Sequence, residues 1–170
     1  ILKVYDLATK TGYPVVGVYD SNGVNLTEGF EVLSAYGDVV KASAAVSGVV
    51  PQISIIAGAC LGVLSVVANM ADVVVAVKDA DFYISAPNDV TAEDNYKSGS
   101  VDILSESFEE AVASVKNLVA LFPQNNIAPT PIFDFAAPST VAADSMGADD
   151  IIKSIADENS IVEIKSGYGN

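Results

Sequence analysis

No histidine, arginine or tryptophan occurs in the chain, and cysteine occurs once, as Cys60. Each absence closes a class of chemistry. Without histidine there is no imidazole base for a Ser/His/Asp or Cys/His arrangement and no His-ligated zinc site. Without arginine there is no guanidinium fork for phosphate, which lysines such as Lys10, Lys41 or Lys97 would have to meet. A lone cysteine makes no internal disulfide, which fits a reducing compartment and leads us to expect a cytoplasmic protein. Cations are scarce: 8 Lys+Arg stand against 22 Asp+Glu, giving a net charge of −14 and a pI of ≈ 4.1. That balance opposes nucleic acid or an anionic membrane surface as a partner. Long apolar runs are missing too. Gly, Ser, Asn or Asp interrupts every stretch well short of about 18 residues, so neither a membrane span nor a signal peptide is expected. The opening at Ile1 leads us to expect that residues precede it in the full protein.

What is present is a large apolar fraction, 51% of 170 residues, enough for one domain with a sizeable core. Its centre is PQISIIAGACLGVLSVVANMAD, Pro51 to Asp72. The run after Pro51 predicts a buried strand over Ile53 to Ala57, a turn on Gly58, Ala59 and Cys60, and a helix from Leu61 to Met70. Apolar residues around nearly the whole circumference of that helix predict that it is covered on all sides. A strand that feeds a helix through a glycine turn leaves the first helical N–H groups unpaired, with the positive end of the dipole behind them. The N–H groups between Gly58 and Val63 are therefore the candidate donors for an anion or oxyanion. Two readings stand side by side: a working oxyanion site, or a turn retained for structure. Cys60, inside the apolar element with no cation near it in sequence, reads as a buried structural thiol and not as a nucleophile.

Around this centre, Leu2 to Lys10 predicts a helix stopped at Gly12, and Pro14 to Tyr19 an apolar strand ending in the turn cluster Asp20-Ser21-Asn22-Gly23. A long helix is expected over Thr27 to Val46, with Asn25 and Glu28 as a weak capping pair. Strands are expected at Asp72 to Val77 and Asp81 to Ser85. The alternation of strand and helix argues for an α/β architecture with parallel neighbours. Asn88 to Asp102 reads as a polar loop. Ser105 or Ser107 caps a helix whose apolar face is Phe108, Val112, Val115, Val119 and Phe122, and Pro123 ends it. Residues 123–144 read as a proline-rich linker or strap, and 145–170 as a short connector with a helix at Asp149 to Ala156 and a strand at Ser160 to Lys165. The acids Asp149, Asp150, Asp157 and Glu158 flank that short helix as a solvated, dipole-compatible group, so no metal site is expected. Gly17, Gly23 and Gly29 lack the spacing of a dinucleotide fingerprint.

Several stretches together carry a resemblance: PVVGVYDSNGVNLTEG, GVVPQISIIAGACLGVLSVVANMADVVVAVKDADFYISAP, KSGSVD, LFPQNN and ADDIIKSIADENSIVEIKSGYGN. In this order they resemble the β-type subunits of biotin-dependent acyl-CoA carboxyltransferases, the propionyl-CoA and acetyl-CoA carboxylase group. The resemblance covers nearly the whole chain. It implies a crotonase-like ββα spiral of the ClpP/crotonase type, here an incomplete single domain with its core in residues 1–122, forming most of an N-terminal half and the connector after it. It implies that this half binds acyl-CoA, while the C-terminal half of a neighbouring subunit binds carboxybiotin. Backbone amides then hold the enolate oxygen, so no histidine is needed. No cofactor would be bound directly. The implied partners are an acyl-CoA, a carboxyltransferase C-half or biotin carrier chain, and further copies in a homo- or hetero-oligomer.

Carried onto this sequence, the family's CxGG turn falls on Cys60, Leu61, Gly62 and Val63, and its SGGAR loop on Ser21, Asn22, Gly23, Val24 and Asn25. The implied catalytic donors are the backbones of Gly62 and Val63, with Gly58 before them. The implied substrate contacts are Asn22, Gly23, Val24, Cys60, Leu61 and Ala86, the last standing in a glycine-proline pair that is Ala86-Pro87 here. Val63 and Asn22 replace glycines, and Asn25 replaces the loop's arginine. A degenerate, non-catalytic scaffold subunit with the same fold is the alternative that these departures leave open, as is a decarboxylase in place of a carboxylase.

Overall fold

The computed structural model describes residues 1–85, 90–129, 132, 146–157 and 160–169. Ala86 and most of the 123–144 segment lie outside the described residues.

Helix α1 (Leu2–Thr11) ends where Gly12 takes φ 71°. Strand β1 (Val15–Ser21) follows, then a single 3-10 turn (Leu26–Glu28) and helix α2 (Glu31–Val46). The long helix thus starts later than predicted. Asn25 Oδ1 accepts from the N–H and hydroxyl of Thr27 and so caps the 3-10 turn, and Gly29 at φ 63° then breaks the helical path. Strand β2 (Gln52–Leu61), helix α3 (Val63–Asn69), strand β3 (Val73–Val77) and the two-residue strand β4 (Phe82–Tyr83) come next. The chain closes with helix α4 (Ala92–Ser98), strand β5 (Ile103–Ser105), helix α5 (Phe108–Leu121) and helix α6 (Ala148–Ile155).

The sheet runs β1-β2-β3-β5, every pair parallel, with β4 paired to the far end of β2. The three strands expected to be neighbours are neighbours, because their β-branched runs are buried on both faces of the central strands. Ile53, Ile55, Val73 and Val75 face α5, where Ala111, Val115 and Leu118 close the layer. The opposite face, with Ile56, Cys60, Val74, Ala76 and Phe82, is covered by Ala68 of α3 and Ala92 of α4. Buried polar side chains are paired, Ser105 Oγ excepted: Ser54 Oγ donates to Ala68 O at 2.8 Å, and Ser43 Oγ to Gln52 Oε1 at 2.9 Å.

Five expectations need correction. The strand does not stop at Ala57: Gly58, Ala59 and Cys60 are strand residues, and the turn is Gly62 alone. The helix after it is covered on one side only, since Val63 and Val66 are 38% and 37% exposed. The polar stretch before Asp102 contains α4, opened by a capping box in which Thr91 Oγ1 accepts from Asp94 N–H and Asp94 returns a bond to Thr91 N–H. Ser160 to Lys165 joins no ladder. Its end is fastened by Lys165 N–H donating to Asp102 O at 2.7 Å and by the ion pair of their side chains. On α5 the cap is Ser107, and Phe108 and Val119 turn outward from the face assigned to them.

The packing leaves apolar residues open. Val16 and Val18 of the edge strand are exposed, and so are Phe30 and Leu33 at the start of α2. None of the helices described is long and apolar enough to cross a membrane.

Candidate functional site

Two loops meet at the carboxyl ends of the parallel strands, where ligands of open α/β sheets bind. The first follows β1. Ser21 Oγ accepts from Gly23 N–H at 3.3 Å, and Gly23 takes φ 101°, a conformation open to glycine at little cost. The second is Gly62, at φ 67° and ψ −138°, which turns β2 into α3. The loops touch: a Cβ placed on Gly23 would lie 3.7 Å from the carbonyl oxygen of Leu61. Gly23 is thus brought beside Leu61, the residue that enters the Gly62 turn.

The donors are distributed differently from the expectation. Gly62 N–H donates to Tyr83 O at 3.0 Å, Cys60 N–H to Asp81 O at 2.8 Å, and Ala59 N–H to Asp20 Oδ1 at 3.2 Å. These amides extend the ladder toward β4 or fill the bulge in β2. The N–H groups of Val63 and Val24 have no acceptor among the described residues. They are what the site can offer an oxyanion. Gly58 lies within the strand, two positions before Cys60, and takes part by making room for the Asp20 carboxylate.

Cys60 is fully buried, and burial pushes its thiol up from 9.0 to about 12. A thiol of that pKa is almost entirely protonated at neutral pH, so it supports the turn from the core and is no nucleophile. Among the described residues no group of three or more Cys, Asp or Glu could hold a metal ion. Of the lysines considered for phosphate, Lys10 pairs with Asp6 and Lys97 with Glu93, each one helical turn away.

A cleft of about 470 Å³ runs beside β1 to this region, lined among others by Tyr5, Tyr19, Ser21, Tyr36, Leu64 and Val67. Burial raises the Tyr19 phenol to about 12, so at neutral pH it is a neutral hydrogen-bonding group. A smaller hollow of about 260 Å³, lined by Val50, Asp72 and Phe122, lies at the opposite, amino ends of the strands. Two partners of the site escaped sequence reasoning. The acceptor for Gly62 is a main-chain carbonyl, which leaves no side-chain signature, and Asp20 read as an ordinary turn residue.

Comparison with known proteins identifies the family. The carboxyl transferase domain family matches residues 1–170. The propionyl-CoA carboxylase beta chain of Saccharopolyspora erythraea is 34% identical over 168 residues, covering 89% of this chain and 31% of that protein. The methylmalonyl-CoA decarboxylase subunit alpha of Veillonella parvula is 31% identical over 164 residues, covering 87% of this chain and 32% of that one. Among solved structures, a transcarboxylase 12S crystal structure, a hexamer assembly with methylmalonyl-coenzyme A and methylmalonic acid bound, superposes with a TM-score of 0.86. It is 30% identical, and the match covers 99% of this chain and 38% of that one. The chain therefore spans about a third of the length of these relatives. The family match over its full length, and the parallel crotonase-type sheet with its two loops, together show that this chain belongs to the carboxyl transferase domain family.

Proposed function

We propose that the chain is the acyl-CoA-binding half of a biotin-dependent carboxyltransferase, with the thioester carbonyl placed between the Gly62-Val63 turn and the Ser21–Val24 loop. The observation that supports this most is the convergence of the two loops, with Gly23 over Leu61 and the Val63 and Val24 N–H groups left without acceptors among the described residues. Removal of the α-proton of an acyl-CoA moves negative charge onto the thioester oxygen. Preorganised N–H donors stabilise that charge, and each is worth about 3 kcal/mol in a site of this kind. Val63 stands first in α3, so its N–H adds the helix-end dipole to the hydrogen bond. Carboxybiotin, carried by a partner chain, supplies the carboxyl group. The relatives named above include both a carboxylase and a decarboxylase, so carboxyl transfer in either direction uses the same stabilised enolate. The open apolar residues Val16, Val18, Phe30 and Leu33 favour assembly with further subunits.

Titration calorimetry with propionyl-CoA tests the reading. The wild-type chain is expected to bind, and Val63→Gly to bind several-fold more tightly, because the Val63 side chain, 38% exposed, stands at the mouth of the turn. No binding by either protein, with association to a carboxyltransferase C-terminal half preserved, would replace this reading by that of a scaffold subunit.

A further inference from the structure

The register between β1 and β2 breaks where the site begins. Val15 to Tyr19 pair in step with Gln52 to Ile56, and then Ser21 faces Cys60. Between those pairs one residue of β1, Asp20, spans three of β2: Ala57, Gly58 and Ala59. The bulge is filled by the Asp20 side chain. Its Oδ1 accepts from Ala59 N–H at 3.2 Å, and the carboxylate lies against Gly58. A Cβ at Gly58 would meet Oδ1 and come within 2.8 Å of Asp20 Cγ. Gly58 has no positive φ, so its requirement is for space and not for backbone freedom. The two loops of the site leave from the two sides of this contact: Ser21–Val24 directly after Asp20, and Gly62 shortly after Ala59.

We propose that Asp20, seated on Gly58, is a positioning residue that sets the separation of the Gly23 loop and the Gly62-Val63 turn. This rests on the acyl-CoA reading above for its consequence, but not for its geometry. Asp20 is not among the implied substrate contacts and acts through the bulge. A bulge re-aims the strand that carries it, and here it directs the end of β2 toward the loop after β1. Without the carboxylate, Ala59 N–H loses its acceptor and Ala57 to Ala59 can settle back toward regular pairing, which moves the turn relative to the loop. A misplacement of a fraction of an ångström between binding groups is enough to weaken a ligand measurably.

The test uses four proteins beside the wild type: Asp20→Ala, Asp20→Asn, Gly58→Ala and the double variant Asp20→Ala/Gly58→Ala. Propionyl-CoA affinity is expected to fall about tenfold in Asp20→Ala and in Gly58→Ala, and to stay within about twofold of wild type in Asp20→Asn, which keeps the Oδ1 acceptor. Thermal unfolding gives an independent readout. Gly58→Ala alone is expected to lower Tm by several degrees through overpacking, whereas in the Asp20→Ala background the same methyl has room and lowers it no further. Equal affinities across the series, or additive Tm losses in the double variant, overturn the proposal. If the wild type itself binds no propionyl-CoA, the acyl-CoA reading fails by that result. The Asp20 inference is then decided by the Tm cycle together with amide hydrogen exchange at Ala59, Gly23 and Gly62, whose N–H groups are all bonded in the wild type. Faster exchange at all three in Asp20→Ala supports it, and a change confined to Ala59 overturns it.

Discussion

Replacing Gly62 by valine is expected to abolish acyl-CoA binding and to destabilise the fold by about 1–3 kcal/mol. The cost is conformational. At φ 67° and ψ −138° the residue occupies a region that β-branched side chains do not adopt. Crowding contributes little, because the nearest atom to an added Cβ is Ile84 O at 4.0 Å. A valine relieves its strain by rotating the backbone, which breaks the Gly62 N–H bond to Tyr83 O and swings the Val63 N–H away from the Gly23 loop. For a chain of this size each kcal/mol lowers Tm by about 2–4 °C, so thermal unfolding and calorimetry report the two effects separately. A Gly62→Val protein with wild-type Tm and affinity would mean that the turn is not the hinge of the site.

Phe82→Ala is expected to have the largest effect on stability, about 3–5 kcal/mol. Phe82 is 2% exposed and packs in the cluster with Cys60, Val74 and Ala76. It also fixes β4: Phe82 pairs with Cys60, its carbonyl accepts from Asn95 Nδ2 at 2.7 Å, and the next residue, Tyr83, holds Gly62. The cavity left by alanine therefore loosens the strand that braces the turn, and acyl-CoA affinity is expected to drop with stability. Phe82→Leu, which keeps most of the apolar volume, should lose less than half as much in a urea unfolding series. Equal losses for both variants would show that ring shape, and not burial, dominates at this position.

The core of the fold was legible because its signals are long and repeated. Val15 to Tyr19, Ile53 to Ala57 and Val73 to Val77 are β-branched runs beginning after Pro14, Pro51 and Asp72, and they pair in the expected parallel sheet. The errors lie where short-range composition and tertiary pairing disagree. Gly58-Ala59-Cys60 has turn-like small residues, yet it stays a strand because Asp20 and the Asp81 carbonyl take up the N–H groups of Ala59 and Cys60. Helix α4 has only Ala92 buried, so it shows no apolar period, and the spacing of Thr91 and Asp94 was its one readable mark. Ser160 to Lys165 carries strand-like residues but pairs with no strand among the described residues. At the site, the CxGG and SGGAR correspondences pointed to two loops, and the structure brings Gly23 of one beside Leu61 of the other. They did not indicate which amides are already bonded, because the acceptors are two main-chain carbonyls and one distant carboxylate.

The acyl-CoA carbonyl is proposed to lie between the Val63 and Val24 N–H groups. Amide NMR shifts recorded with propionyl-CoA and with free coenzyme A test it most directly. The account predicts downfield shifts of the Val63 and Val24 amide protons that appear with the thioester and not with coenzyme A alone, while the Gly62 and Cys60 amides, bonded to Tyr83 and Asp81, stay nearly unchanged. Thioester-specific shifts confined to residues away from both loops would contradict it.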